Sequence, residues 1–124
     1  LRGLANDVDP SVRATALTGL ERAGELTDTD VLAALGDPSP AVRTRAASIA
    51  ARHPAVDLLG ALADADPSVA ETAAWALGEQ AGESVEVVAA LAQMATGHDD
   101  VLCREAAVAA LGALGHEAGL DAIL

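Results

Sequence analysis

Apolar residues recur along this chain in helical steps, and the same steps return several times. Val12, Val42, Val69 and Cys103 anchor four segments that align without gaps, at spacings of 30, 27 and 34 residues. Four residues past each anchor stands an alanine: Ala16, Ala46, Ala73 and Ala107. Eight past it stand Leu20, Ala50, Leu77 and Leu111. Steps of four and eight share one stripe of an α-helix, so this stripe is predicted to be buried. The small alanine at its centre lets a neighbouring helix come close. Polar positions punctuate the pattern. Asp9-Pro10, Ser39-Pro40 and Asp66-Pro67 each set a capping side chain before a proline suited to the first helical position, and Asp100 takes the cap in the fourth copy. Gly24, Gly82 and Gly115 stand where these helices are expected to end. The predicted helices cover about 10–23, 40–52, 67–81 and 100–114.

Shorter apolar runs fill the intervals. One covers about 28–36, capped by Thr27 or Asp28. A second, about 55–64, carries Val56, Leu58, Leu59 and Leu62, and a third, about 84–96, is capped by Ser84. Residues 1–6 read as the tail of another such helix and residues 117–124 as the start of one. With the short helices named A and the long ones B, the order is A, tight turn, B, repeated. One hairpin of this kind cannot bury its own apolar face, whereas stacked hairpins share a continuous core. The expectation is an all-α solenoid forming a single domain over residues 1–124.

The string Asp-x-Asp-Pro-Ser-Val-Arg, followed by an Ala-rich helix and Leu or Leu-Gly, resembles the HEAT repeat. It is most similar to the short HEAT-like variety named after phycobilisome lyase subunits, and the resemblance covers essentially the whole chain. It implies a right-handed α-solenoid (an alpha-alpha superhelix) of about four helical hairpins, with incomplete repeats at both ends. The family also favours an Asp in the turn six residues before the Arg, matched here by Asp7 with Arg13 and Asp37 with Arg43. The resemblance implies a hydrogen-bonded ladder between the turns of adjacent repeats. Copy three keeps Asp64 but has Ala70 for the Arg, and copy four keeps Arg104 but has His98 for the Asp. The ladder is therefore expected to run at the start of the chain and break later, with a structural role.

The resemblance further implies a convex face of A helices and a concave face of B helices. On each B helix, positions two, six and ten past the anchor lie across the helix from it and are predicted to be exposed. These rows are Ala14, Thr18, Arg22; Thr44, Ser48, Arg52; Glu71, Trp75, Glu79; and Glu105, Ala109, Ala113. Trp75 is the only aromatic residue in the chain, at a position that Thr, Ser and Ala fill elsewhere. It reads either as a partner contact, since Trp is enriched in interface hot spots, or as a ring leaning onto the next repeat. Glu71, Glu79 and Glu105 around it suit a basic partner surface, or are ordinary solvated charges. Arg45 and Arg52 give the second row a positive edge, which predicts a face polarised along its length.

Composition fits this picture. Of 124 residues, 52% are hydrophobic, yet there is one Trp and no Phe or Tyr, while Ala takes 31 positions. The core must therefore consist of many small contacts rather than a few large rings. The net charge is −12, from 19 acidic residues and seven Arg with no Lys. With the Arg taken as scattered and no basic stripe visible, nucleic acid is not an expected partner. No apolar run approaches the length of a membrane span and no signal peptide is visible, so a cytoplasmic, membrane-free protein is expected. The start at Leu1 and the apolar end at Leu120–Leu124 predict a segment of a longer chain. Exposed end repeats of such a segment are expected to self-associate.

Chemistry-bearing residues are few. His53, His98 and His116 occupy unlike positions in different repeats, so no metal site is expected. Cys103, the one cysteine, sits at a core position. HEAT-like hydroxylases that hold two irons use several His-Glu pairs, and the single pair His116-Glu117 does not carry that over. No phosphate-cradling glycine string occurs, no cofactor is expected, and Gly60 is read as allowing close packing. The expected function is a non-enzymatic protein-interaction scaffold that receives a partner on the concave B-helix face. The alternatives are a subunit of a HEAT-like lyase or isomerase acting on a protein-bound chromophore, and a structural or regulatory segment of a larger protein.

Overall fold

A computed structural model describes residues 2–80 and 84–115. Among the described residues there are six α-helices and no strand: α1 (Pro10–Arg22), α2 (Asp28–Leu35), α3 (Pro40–Ala50), α4 (Pro67–Glu79), α5 (Val85–Gly97) and α6 (Val101–Leu114). Two 3-10 segments, Arg2–Asn6 and Leu59–Ala63, complete the list of elements. The B helices α1, α3, α4 and α6 pack one after another in a row, and the A helix α5, expected to be short, is as long as α1 and α4. Arg2–Asn6 lies on α1, α2 on α3, Leu59–Ala63 on α4 and α5, and α5 on α6. The molecule is thus an α-solenoid of helical hairpins. Gly82, His116, Glu117 and the apolar run 117–124 fall outside the described residues.

The helix starts follow from their caps. Asp9 and Asp66 each accept the amide N–H two residues on, Asp100 accepts those of Leu102 and Cys103, and Ser84 accepts that of Val87. Thr27 and Asp30 form a reciprocal capping box at the start of α2. Ser39 differs from expectation, since its side chain makes no cap hydrogen bond. Instead its own amide donates to Asp37 at 2.8 Å. Helix α1 ends at Gly24, whose φ of +73° belongs to the left-handed region. Glu25 N–H donates to the Leu20 carbonyl and Gly24 N–H to that of Glu21, the paired bonds of a Schellman cap.

The segment 55–64 is not an α-helix. Only Leu59–Ala63 is helical, and in the tighter 3-10 form. Pro54 and the turn that follows use up the start of the segment, and the Asp57 carboxylate accepts Leu59 N–H at 2.9 Å. Val56, Leu58 and Leu62 are nonetheless buried. The apolar pattern therefore reports burial correctly in a repeat too short for a full A helix.

The core is mostly alanine and small aliphatics. Ala46, Ala50, Ala70, Ala73, Ala74, Ala106, Ala107 and Ala110 are almost wholly buried, interleaved with Leu20, Val42, Val69, Leu77, Leu91 and Cys103. Each buried CH2-sized group contributes only about 0.8 kcal/mol, so the stack depends on how many such contacts form. The closest approach lies between α4 and α6, where a Cβ added at Gly78 would meet Ala110 Cα at 3.0 Å. Gly78, not Gly60, is the glycine that packing requires, for a Cβ at Gly60 would meet nothing within 4 Å.

Candidate functional site

The turns before the B helices are built alike. Asp7, Asp37 and Asp64 each accept the backbone N–H two residues on, at 2.8 to 2.9 Å. The Arg six residues later folds back on its own turn: Arg13 donates to the Asp7 and Val8 carbonyls, Arg43 to those of Asp37 and Pro38, and Arg104 to those of His98 and Asp99. The rest of the guanidinium reaches forward in Arg13 and Arg43. Arg13 meets the Asp37 carboxylate through two bonds of 2.9 Å, and Arg43 meets Asp64 at 2.9 and 3.1 Å. Each rung thus joins the Arg of one repeat to the Asp of the next, not to the Asp of its own turn. The Arg13 guanidinium and the Ser39 amide hold the Asp37 carboxyl below the usual range. For Asp64, burial pushes upward, but the bond from Arg43 and the Asp66 amide outweigh it and the pKa is lowered.

The rung that should join copies three and four has lost both partners. Ala70 replaces the Arg and is fully buried, and His98 replaces the Asp. Neither a guanidinium nor a carboxylate is left without its counterpart at that junction, which avoids the heavier cost of half a pair. His98 keeps the local duty of the missing Asp, because its Nδ1 accepts Asp100 N–H at 3.0 Å.

Further polar ties were not legible in the sequence. Arg45 donates to Thr18 Oγ1 at 2.6 Å and to the Ala14 carbonyl at 3.2 Å, so its cation is anchored on α1 rather than offered to solvent. Ala14, expected in the exposed row, is buried in the same contact region at 5% exposure. His53, just past α3, presents Nδ1 to Asp28 at 2.7 Å and Nε2 to Glu21 at 2.9 Å. Burial lowers the His53 pKa, but the two carboxylates outweigh it, and the imidazole is held above its ordinary value. Arg52 reaches Glu21 at 3.3 Å. Gln80, at the end of α4, donates to the Ala50 carbonyl at 2.8 Å and so satisfies the end of α3.

The outward sides of the B helices differ along the stack. On α1 and α3 they carry Ser11, Thr15 and Arg22, then Ala41, Ser48 and Arg52, all exposed. An open groove of about 560 Å³ between α3 and α4 is lined by Thr44, Arg45, Ser48, Ser68 and Thr72 among others. On α4 and α6 the outward residues are Glu71, half-buried, and the exposed Trp75, Glu79, Val101, Leu102, Glu105 and Val108. Trp75 is 50% exposed, and Leu102 and Val108 are 54% and 58% exposed. Ala109 is half-buried and Ala113 exposed.

Nor are the arginines scattered. Residues 1–52 hold six Arg and seven acidic residues, whereas residues 53–124 hold one Arg and twelve acidic residues. Every ion pair among the described residues lies between Arg2 and Asp64. Cys103 is buried, and that burial, with Asp100 and Glu71 nearby, pushes its thiol up, away from the thiolate a nucleophile needs. No group of three or more His, Cys, Asp or Glu suited to a metal ion occurs among the described residues. No described helix is long and apolar enough to cross a membrane.

Residues 55–124, more than half of the chain, match a family model described as HEAT repeats. No curated protein matches the chain at a significant level.

Proposed function

The chain belongs to the HEAT-repeat family, and we propose that it is an interaction scaffold receiving a protein partner on the outward face of its B helices. HEAT repeats generally serve as protein-interaction scaffolds. The observation that carries the reading to this face is Trp75. The only Trp in the chain, which has no Phe or Tyr, stands half exposed on α4, flanked on its own row by Glu71 and Glu79. Burying such a ring against a partner contributes about 2 kcal/mol or more. In the family the B helices line the concave side, which brings the rows of successive repeats around a shared ligand. The rungs and small-residue packing serve as the frame that holds this face in shape.

The test is the affinity of a partner purified with the chain, measured with Trp75→Ala and, as a control on the A layer, Leu32→Ala. Leu32 is also half exposed. The Trp75 change should weaken binding by roughly 30-fold and the Leu32 change should leave it alone. The reverse pattern would place the interaction on the A layer and remove this reading.

A further inference from the structure

We propose that the α4–α6 end of the B face takes a cationic amphipathic segment of a partner protein, one with an apolar anchor flanked by Arg or Lys. The proposal rests on the B face being the interaction surface. It adds which end of that face is used and what chemistry meets it.

Three observations converge. First, the outward sides of α4 and α6 place a half-exposed indole and two half-exposed aliphatics, Val101 and Leu102, beside Glu71, Glu79 and Glu105. In the first two copies the positions matching Trp75 hold Thr18 and Ser48, those matching Leu102 hold Ser11 and Ala41, and those matching Glu79 hold Arg22 and Arg52. Apolar anchoring and negative charge thus coincide at one end only. Second, among the described residues no cation pairs with these carboxylates. No described salt bridge involves a residue after Asp64, and Arg104, the one Arg in that half, is turned onto the His98 and Asp99 carbonyls. Third, five of the six Arg in the other half are already engaged within the fold, Arg2 with Asp30, Arg13 with Asp37, Arg43 with Asp64, Arg45 with Thr18 and Arg52 with Glu21, while Arg22 is exposed at the end of α1.

A partner with positive charge removes the mutual repulsion of the unpaired carboxylates and is steered to this end by their summed field. An acidic segment meets that repulsion instead. A second copy of this chain is a poor occupant, because it brings a net charge of −12 and no Lys. An apolar anchor separates this surface from a merely acidic one, since Trp75 and Leu102 gain nothing from charge alone.

Trp75 is the only aromatic residue, so its emission reports on this site without labelling. The experiment titrates the full chain with synthetic helical peptides that lack aromatic residues and share one apolar pattern, their polar positions filled by Lys and Arg, by Gln, or by Glu. A fourth peptide keeps the basic residues and replaces the apolar ones by Ser. The cationic amphipathic peptide should shift Trp75 emission to the blue and saturate. Its affinity should fall at least roughly tenfold between low and high salt. The triple variant Glu71→Gln, Glu79→Gln, Glu105→Gln should weaken it by about tenfold or more. Glu79→Gln with Glu105→Gln, both at exposed positions, repeats the test without touching half-buried Glu71. Equal binding of the Gln or Glu peptide, equal binding of the Ser-substituted one, or indifference to the Glu→Gln changes would overturn the proposal. Saturation by the Gln or Glu peptide alone would leave the B face standing as the binding surface while removing its cationic preference. Silence of Trp75 towards all four would remove both.

Discussion

The two ends of the stack are joined by different physics. Between α1 and α3 run the bidentate Arg13–Asp37 rung, the Arg45–Thr18 bond, and the contacts of Arg52 and His53 with Glu21. Between α3 and α4 run the Arg43–Asp64 rung and the Gln80 bond to the Ala50 carbonyl. Between α4 and α6 the described contacts are apolar apart from one weak bond, from the Cys103 thiol to the Pro67 carbonyl at 3.3 Å. There the helices close on Gly78 and Ala110 instead. Polar joints fix the register of neighbouring repeats but engage the charges that make them. A joint of small residues leaves its carboxylates facing outward. The same repeat thus supplies a stiff, charge-neutralised end and an acidic end with exposed apolar side chains.

The sharpest way to break this comparison is to remove the turn side chain from each kind of joint. Asp37→Ala strips the half-buried Arg13 guanidinium of its partner and the Ser39 amide of its acceptor. It should lower unfolding free energy by about 2–3 kcal/mol in urea denaturation. His98→Ala removes only the turn bond to Asp100 and should cost about 1 kcal/mol. Equal losses would mean the rung is not what joins the repeats.

The small-residue joint has its own test. In Gly78→Ala the added methyl must displace Ala110, whose Cα lies 3.0 Å from the new Cβ. This should cost about 1–2 kcal/mol even though Ala is the better helix former. Gly60→Ala, which meets nothing within 4 Å, should be within about 0.5 kcal/mol of the parent. A neutral Gly78→Ala would show that α4 and α6 are not in close contact.

A third test rebuilds the missing rung. Ala70→Arg alone puts a guanidinium at a fully buried position with no carboxylate opposite and should destabilise. Adding His98→Asp should recover about 1 kcal/mol as a coupling energy in a double-mutant cycle. Additive effects would show that the two positions do not face one another.

The smallest effect concerns pH. His53 is held above its ordinary pKa by Glu21 and Asp28 despite burial. Its contribution is therefore complete below pH ~6.5 and is lost as pH rises through its folded-state value. Asp30, accepting from Arg2 and from the Thr27 amide, is lowered to about 2. Its contribution is complete above pH ~3.9 and is lost as pH falls towards 2. Stability should decline gently above neutrality, and His53→Gln should flatten that decline. An unchanged slope in the variant would remove the His53 contribution. Amide exchange should show these losses around α1 to α3, where both groups sit.

Much of the frame could be read from one stripe. Anchors, alanines and leucines at steps of four and eight imply helices, and the proline-led caps place their starts. The 55–64 run misled because apolar spacing reports burial, not which helix type a short connection can hold. The rungs were anticipated from the family pattern as a ladder between turns. That Arg13 takes the carboxylate of the next repeat and the carbonyls of its own depends on the offset between hairpins, which no local spacing encodes. For the same reason Arg45 looked free and Ala14 looked exposed: the helix that covers them lies about 30 residues away in sequence. The segregation of Arg into the first 52 residues was present in the sequence all along. It gained meaning only once the structure showed which charges pair.

Collisional quenching of the single indole tests the acidic, unpaired character of the α4–α6 face most directly. Caesium should quench Trp75 more strongly than iodide does, relative to a neutral free tryptophan derivative. The difference should collapse in high salt and in the Glu71→Gln, Glu79→Gln variant. Iodide quenching equal to or stronger than that by caesium on the same relative scale would contradict the account, for it would mean that the carboxylates beside Trp75 exert no net field there.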